Sequence, residues 1–96
     1  MDKKIHLRII TLAGVVLDDK VDYALLPMKD GGYGILYNHA PLIGALEKGR
    51  LKYRIDDKEF FAMVNGGIAQ VADNEITIMT ESAKKEEMLT NGLTNE

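Results

Sequence analysis

Apolar and polar residues alternate over most of the chain. Ile5, Leu7 and Ile9 alternate with His6 and Arg8. A period of two marks a strand with one buried face. Leu12-Ala13-Gly14 reads as a turn, Val15-Val16-Leu17 as a short strand, and Asp18-Asp19-Lys20 as polar punctuation. Val21 to Leu26 is a further strand that Pro27, which has no N–H, is expected to stop. Ile35-Leu36-Tyr37 forms the next. Leu42 to Leu46 ends at a turn over Glu47-Lys48-Gly49. Leu51, Tyr53 and Ile55 alternate with Lys52 and Arg54, and Asp56-Asp57 closes a hairpin onto Lys58 to Val64. Asn65-Gly66-Gly67 has hairpin chemistry, because Asn and Gly accept positive φ. Ile68 to Ala72 then pairs through Asp73-Asn74 with Glu75 to Thr80.

This pattern predicts an all-β chain: an antiparallel β-sandwich or flattened barrel of roughly ten short strands. The pattern changes at Glu81. Glu81 to Leu89 is rich in helix formers with opposite charges four apart, and Ser82 is placed to cap it. A short helical tail is therefore expected, frayed over Thr90 to Glu96. The division is a sandwich domain over residues 1–83 and a polar tail over 84–96.

One stretch stands apart, Gly31-Gly32-Tyr33-Gly34 followed by Ile35 to Gly44. Three glycines in four positions make a loop, and Pro41 pushes Ala40 out of the helical region. A flexible tip beside a stiff apolar corner reads as a contact surface carried by a scaffold.

Composition narrows the picture. With 96 residues there is room for one core. The chain is 46% apolar and 28% charged, which is globular. A net charge of −3 lacks the basic footprint of a nucleic-acid binder and does not favour anionic membrane surfaces. No cysteine is present, so disulfides, thiolate chemistry and cysteine-bearing zinc sites are excluded, in keeping with a reducing compartment. No apolar run is long enough to span a bilayer as a helix, and no secretory signal is read at the N-terminus.

Candidate chemistry is sparse. His6 lies on a polar strand face. His39 would need a nucleophile or an acid beside it to act as a base, and the one serine, Ser82, lies in the tail. Asp18-Asp19 and Asp56-Asp57 sit where turns are expected, and neighbouring strand residues point to opposite faces. The glycine stretch lacks the Lys-Ser/Thr ending of a phosphate loop. No catalytic residue, metal or cofactor is assigned. Ile9-Ile10, Val15-Val16, Ala24-Leu25-Leu26 and Phe60-Phe61 are apolar on both sides of their strands. In a small sandwich this implies that part of an outer face is covered by a partner or forms an exposed apolar patch that marks a binding site.

Three segments carry a resemblance. They are Ile5 to Thr11 with Gly14-Val15-Val16; Gly32-Tyr33-Gly34-Ile35-Leu36-Tyr37-Asn38-His39-Ala40-Pro41-Leu42-Ile43; and Glu59-Phe60-Phe61 through Asn65-Gly66-Gly67-Ile68 to Glu75-Ile76-Thr77-Ile78. In order and spacing, over roughly residues 3–83, they resemble the N-terminal β-sandwich of the epsilon subunit of F-type ATP synthases. The chain departs at Tyr37-Asn38, where the family usually has Pro-Gly, though Asn tolerates the left-handed region as Gly does. It departs again at Gly32, where the family often has an acidic residue.

The resemblance implies a non-catalytic subunit of the rotor stalk that packs on the gamma subunit, rests on the c-ring and couples ion translocation to the alpha/beta hexamer. It implies c-ring contacts at Lys29, Asp30, Gly31, Gly32, Tyr33 and His39, and gamma contacts at Thr11, Ala40 and Gly44. It places the chain peripherally at the cytoplasmic face of the bacterial plasma membrane, touching the membrane only through the complex. The family usually continues into two inhibitory C-terminal helices that in some members bind ATP. The short tail leads to the expectation of no self-inhibition and no ATP site. The alternative from another class is a free-standing β-sandwich ligand-binding module using the same loop end.

Overall fold

The computed structural model describes residues 3–86. It contains eight strands: β1 (Ile5–Thr11), β2 (Gly14–Val21), β3 (Tyr23–Met28), β4 (Gly31–Ile35), β5 (Leu42–Ile55), β6 (Lys58–Ala72), β7 (Glu75–Met79) and β8 (Ala83–Glu86). The all-β architecture follows the alternation in the sequence. The strands are fewer and longer than the roughly ten expected. They hydrogen-bond in the order β2-β1-β7-β6-β5-β3-β4, with β8 added to β6. Every pairing is antiparallel except that of β1 with β7, which is parallel.

β5 and β6 pair without a break in register from Leu42↔Val71 to Ile55↔Lys58. The turns expected at Glu47-Lys48-Gly49 and Asn65-Gly66-Gly67 are not chain reversals. They face each other across this ladder and form a corner. Leu46 points inward before it and Leu51 and Tyr53 after it; Val64 points inward before it and Ala69 and Val71 after it. The inward parity therefore slips by one residue on both strands at the same place. Gly66 at φ 73° and Gly67 at φ 113° supply the rotation that L side chains resist. One ladder thus serves two layers: β2-β1-β7 with one half of β5 and β6, and β4-β3 and β8 with the other half.

The neighbours cross the same corner. β3 shifts register between Leu25↔Lys52 and Met28↔Leu46. Pro27 sits in that irregular stretch, so its missing N–H does not end the strand as expected. On the other side, Asn65 N–H reaches both the Thr80 Oγ1 and the Ser82 carbonyl at 3.1 Å, and Thr80 Oγ1 donates to the Ser82 carbonyl at 3.2 Å. β8 then pairs Ala83 to Glu86 with Val64 to Phe61. The helix expected over Glu81–Leu89 is therefore absent from the described part of that stretch. Completing the β6 ladder satisfies this backbone, while a short helix with a thin apolar stripe has little to pack. The rest of the expected helix and the tail lie outside the described residues.

Two further expectations change. β2 runs through Asp18-Asp19-Lys20, since an edge strand tolerates exposed charge. The Gly31–Gly34 loop is strand β4, paired from Met28↔Gly31 to Ala24↔Ile35 behind a tight turn at Lys29-Asp30. The core between the layers is continuous: Ile5, Leu7, Ile9, Leu26, Leu46, Leu51, Ile76 and Ile78 are all inaccessible. Tyr53 stacks on Phe60 at 5.4 Å between centroids. Lys4 Nζ bonds Asp22 at 2.8 Å and Asp56 at 3.3 Å, tying the start of β1 to the β5–β6 hairpin.

A Cβ on Gly67 would lie 2.1 Å from the Met79 carbonyl oxygen, whereas one on Gly66 meets nothing nearer than 3.6 Å. Gly67→Ala is expected to destabilise the fold by about 3 kcal/mol or more, through strain and displaced backbone, and Gly66→Ala by about 1 kcal/mol. Urea unfolding of the two variants checks this order.

Candidate functional site

The outer face of the β2-β1-β7-β6-β5 layer carries the strongest surface feature. Directly opposed residues build a row across five strands: Val15, Ile10, Met79, Ile68 and Ala45. Val15 is 59% exposed, Ile68 46% and Met79 43%. The second row is Asp18, Arg8, Thr77, Gln70 and Ile43, with Ile43 70% exposed. The third is Lys20, His6, Glu75 and Ala72. Polarity is thus graded along the strands, apolar at the end near the Leu12-Ala13 turn and charged at the other.

The charged end is internally paired. His6 Nε2 donates to Asp18 Oδ1, His6 Nδ1 lies 3.7 Å from Glu75, and Arg8 Nε lies 4.0 Å from Asp18. The hydrogen bond from His6 holds the Asp18 carboxyl below the ordinary 3.8 of an aspartate, with Arg8 adding to the effect.

The expected two-sided apolar character divides between the outer faces. Ile10 and Val15 join the exposed row. Leu25 and Phe61 lie half-buried on the other layer, where the Arg50 guanidinium covers Phe61 at 4.0 Å from the ring centroid. That face presents Arg50, Lys52 and Arg54 along β5, with Arg50 bonded to Glu86 at 2.9 Å. Ile43, Ile68 and Met79 were not singled out by sequence reasoning. Their one signal is an apolar residue next to an inward one (Ile68-Ala69, Ile78-Met79), and it acquires meaning only when register aligns them across strands.

The singled-out contact residues fall into three groups. Lys29, Asp30 and Tyr33 line a depression of about 340 Å³ together with Ile43, Gly44 and Ala45. Tyr33 donates its hydroxyl to Asp30 at 3.1 Å, which raises the phenol above its ordinary 10.0. Gly31 and Gly32 are exposed on β4. Gly44 pairs with buried Ala69, and a Cβ on it would meet Met28 Cε at 2.6 Å. Its role in the structure is therefore close packing toward the interior.

His39 and Ala40 belong to a different element, the Leu36–Pro41 corner. His39 N–H bonds the Leu36 carbonyl at 3.1 Å. His39 Nδ1 lies 2.6 Å from the Ala40 carbonyl, which can only accept, so Nδ1 carries the proton. Asn38 holds φ 66°, the conformation for which Asn substitutes for Gly. Thr11 forms the third group, at the apolar end of the outer face. Its Oγ1 accepts from Ala13 N–H and donates to the Gly14 carbonyl, both at 3.1 Å, and closes the β1–β2 turn. Among the described residues no three His, Asp or Glu side chains are placed to hold a metal ion.

Because its folded-state carboxyl is more acidic than the unfolded one, Asp18 adds stability above its ordinary 3.8 and loses it as pH falls through the lowered value. Asp18→Asn is expected to shrink the fall in melting temperature between about pH 5 and about pH 2, as followed by circular dichroism.

The family model for the β-sandwich domain of the ATP synthase delta/epsilon chain matches residues 4–86. A relative named ATP synthase epsilon chain from Nitratidesulfovibrio vulgaris (strain Miyazaki F) is 44% identical over 91% of this chain and 65% of its own. One of the same name from Desulfitobacterium hafniense is 37% identical over 81% of this chain and 59% of its own. This chain therefore spans somewhat under two thirds of the curated relatives it matches. Among solved structures, a chain of the Euglena gracilis mitochondrial ATP synthase shares the fold with a TM-score of 0.81 at 23% identity, covering 88% of this chain and 55% of its own.

Proposed function

The chain belongs to the family of ATP synthase delta/epsilon chain β-sandwich domains, and we propose that it is the epsilon subunit of an F-type ATP synthase central stalk. The observation that carries this reading, beside the family, is the apolar row across five strands. A row of exposed Val15, Met79, Ile68 and Ala45 around half-buried Ile10, widened by exposed Ile43, is costly on a free protein and favourable under a partner. In this reading the gamma subunit covers the row, and the paired charges around His6 form its wet rim. Thr11 and Ala40 border the same contact from its two ends. Gly44 supports it from beneath by letting β5 pack close on Met28.

The second contact of the proposal is with the c-ring. Lys29, Asp30, Gly31, Gly32 and Tyr33 form one edge, and His39 belongs to the neighbouring corner. The exposed Lys29-Asp30 turn, braced by Tyr33, suits a polar loop of a membrane ring. The subunit then has no active site of its own. It transmits rotation from the ring to the alpha/beta hexamer by staying rigid, and it sits peripherally at the cytoplasmic face of the bacterial membrane. A stiff two-layer fold with ladders bent through a shared corner is suited to carrying torque.

Ile68→Glu sits in the middle of the row on an exposed side chain and leaves the core untouched. It is expected to weaken the complex with the gamma subunit by about 30-fold or more, equal to about 2 kcal/mol, with little change in melting temperature. Gel filtration and titration calorimetry measure this. Undiminished binding by a folded Ile68→Glu protein would remove the row from the interface.

A further inference from the structure

We propose that Asn74 is a positioning residue that sets the Asn38–Pro41 corner in the shape in which it meets the gamma subunit. This inference rests on the stalk reading above. Strand pairing does not hold the corner. β4 ends at Ile35 and β5 begins at Leu42. Among the described residues, its own hydrogen bonds are short-range ones within Leu36 to Ala40. Its tie to the sandwich is Asn74, 36 residues away on the β6–β7 hairpin.

The tie is reciprocal. Asn38 N–H donates to Asn74 Oδ1 at 2.6 Å, and Asn74 Nδ2 donates to Asn38 Oδ1 at 3.3 Å. The Asn74 carbonyl also accepts from His6 N–H at 2.9 Å, which anchors the hairpin to β1. Both asparagines hold left-handed backbones, at φ 66° and φ 60°. Glycine reaches that region freely but has no side chain to offer; asparagine reaches it and supplies both a donor and an acceptor. The residue type that this departure from Pro-Gly places at position 38 is thus the type that can complete the clasp.

The clasp lies beside the docking face. Pro41 and Ile43 on one side, with Gln70 and Ala72 on the other, line an apolar depression of about 280 Å³. Asn74 follows Ala72 by two residues, and Asn38 precedes Pro41 by three. The pairing of Leu42 with Val71 and Ile43 with Gln70 sets the width of the depression, and joining the two asparagines fixes the chain that leads into it ahead of Pro41. Neither asparagine belongs to the buried core. Loosening the clasp should thus be felt at the interface more than in the fold.

Two substitutions separate positioning from stability. Asn74→Gly keeps the backbone conformation and removes both side-chain bonds. Asn74→Asp keeps an acceptor for the short bond from Asn38 N–H and loses only the longer one. Binding to the purified gamma subunit is measured by calorimetry beside thermal melting of each variant. Asn74→Gly is expected to bind ~10-fold more weakly with a small change in melting temperature, and Asn74→Asp to recover most of that loss. Adding Asn38→Gly to Asn74→Gly is expected to weaken binding no further, since both remove one interaction. Binding by Asn74→Gly within about twofold of wild type, with Ile68→Glu still disruptive, overturns the clasp and leaves the stalk reading standing. Equal loss by the Gly and Asp variants also overturns it. Failure of the wild-type chain to bind gamma overturns both.

Discussion

The fold depends on a single long ladder that two layers must share. β5 and β6 stay in register from one end to the other, yet their inward-facing residues change parity midway. A strand pair cannot do this on regular pleating, because side chains alternate strictly. The change requires residues able to adopt positive φ and backbones able to pass close to one another. Gly66 and Gly67 meet the first need, and Gly67 meets the second by lying against the Met79 carbonyl. Pro27 and Gly49 fill the same corner from the β3 side, where a Cβ on Gly49 would lie 3.5 Å from Pro27 Cβ. Thr80 closes it from the other side by capturing Asn65 N–H.

Bending the ladder sets the character of the surfaces. Each layer presents its own outer face, and the two differ. The face containing β1 and β7 leaves aliphatic side chains bare at one end and pairs His6, Arg8, Asp18 and Glu75 at the other. The opposite face shields its aromatic residues under guanidinium groups. One outer face is thus left unshielded and the other shielded, the asymmetry on which the proposed docking rests. The exposed lysines of β8 and the charges of β2 also blunt two strand edges against unwanted pairing.

The contact residues suggested by resemblance illustrate how position and role can separate. The resemblance places Gly44 at a contact, yet a Cβ added there would point inward onto Met28, so the glycine makes room for that side chain. Thr11 lies beside the row but spends its hydroxyl on its own turn. Conversely, the resemblance gives Asn74 no role, and one becomes visible only through its bonds to Asn38.

Alternation in the sequence was enough to determine an all-β chain, the strands of Ile5–Thr11 and Leu51–Ile55, and the hairpins at Asp56-Asp57 and Asp73-Asn74. Those features depend on neighbours along the chain. Tertiary structure alone decided that Asn65-Gly66-Gly67 bends a strand where the same residues could have reversed it, because a glycine permits both and the partner strand selects one. It decided that Ala83–Glu86 pairs as a strand, since the unfilled edge of β6 outweighs a weak helical preference. It also assembled the outer row, because Val15, Ile10, Met79, Ile68 and Ala45 become neighbours only through register, which no short stretch of sequence contains.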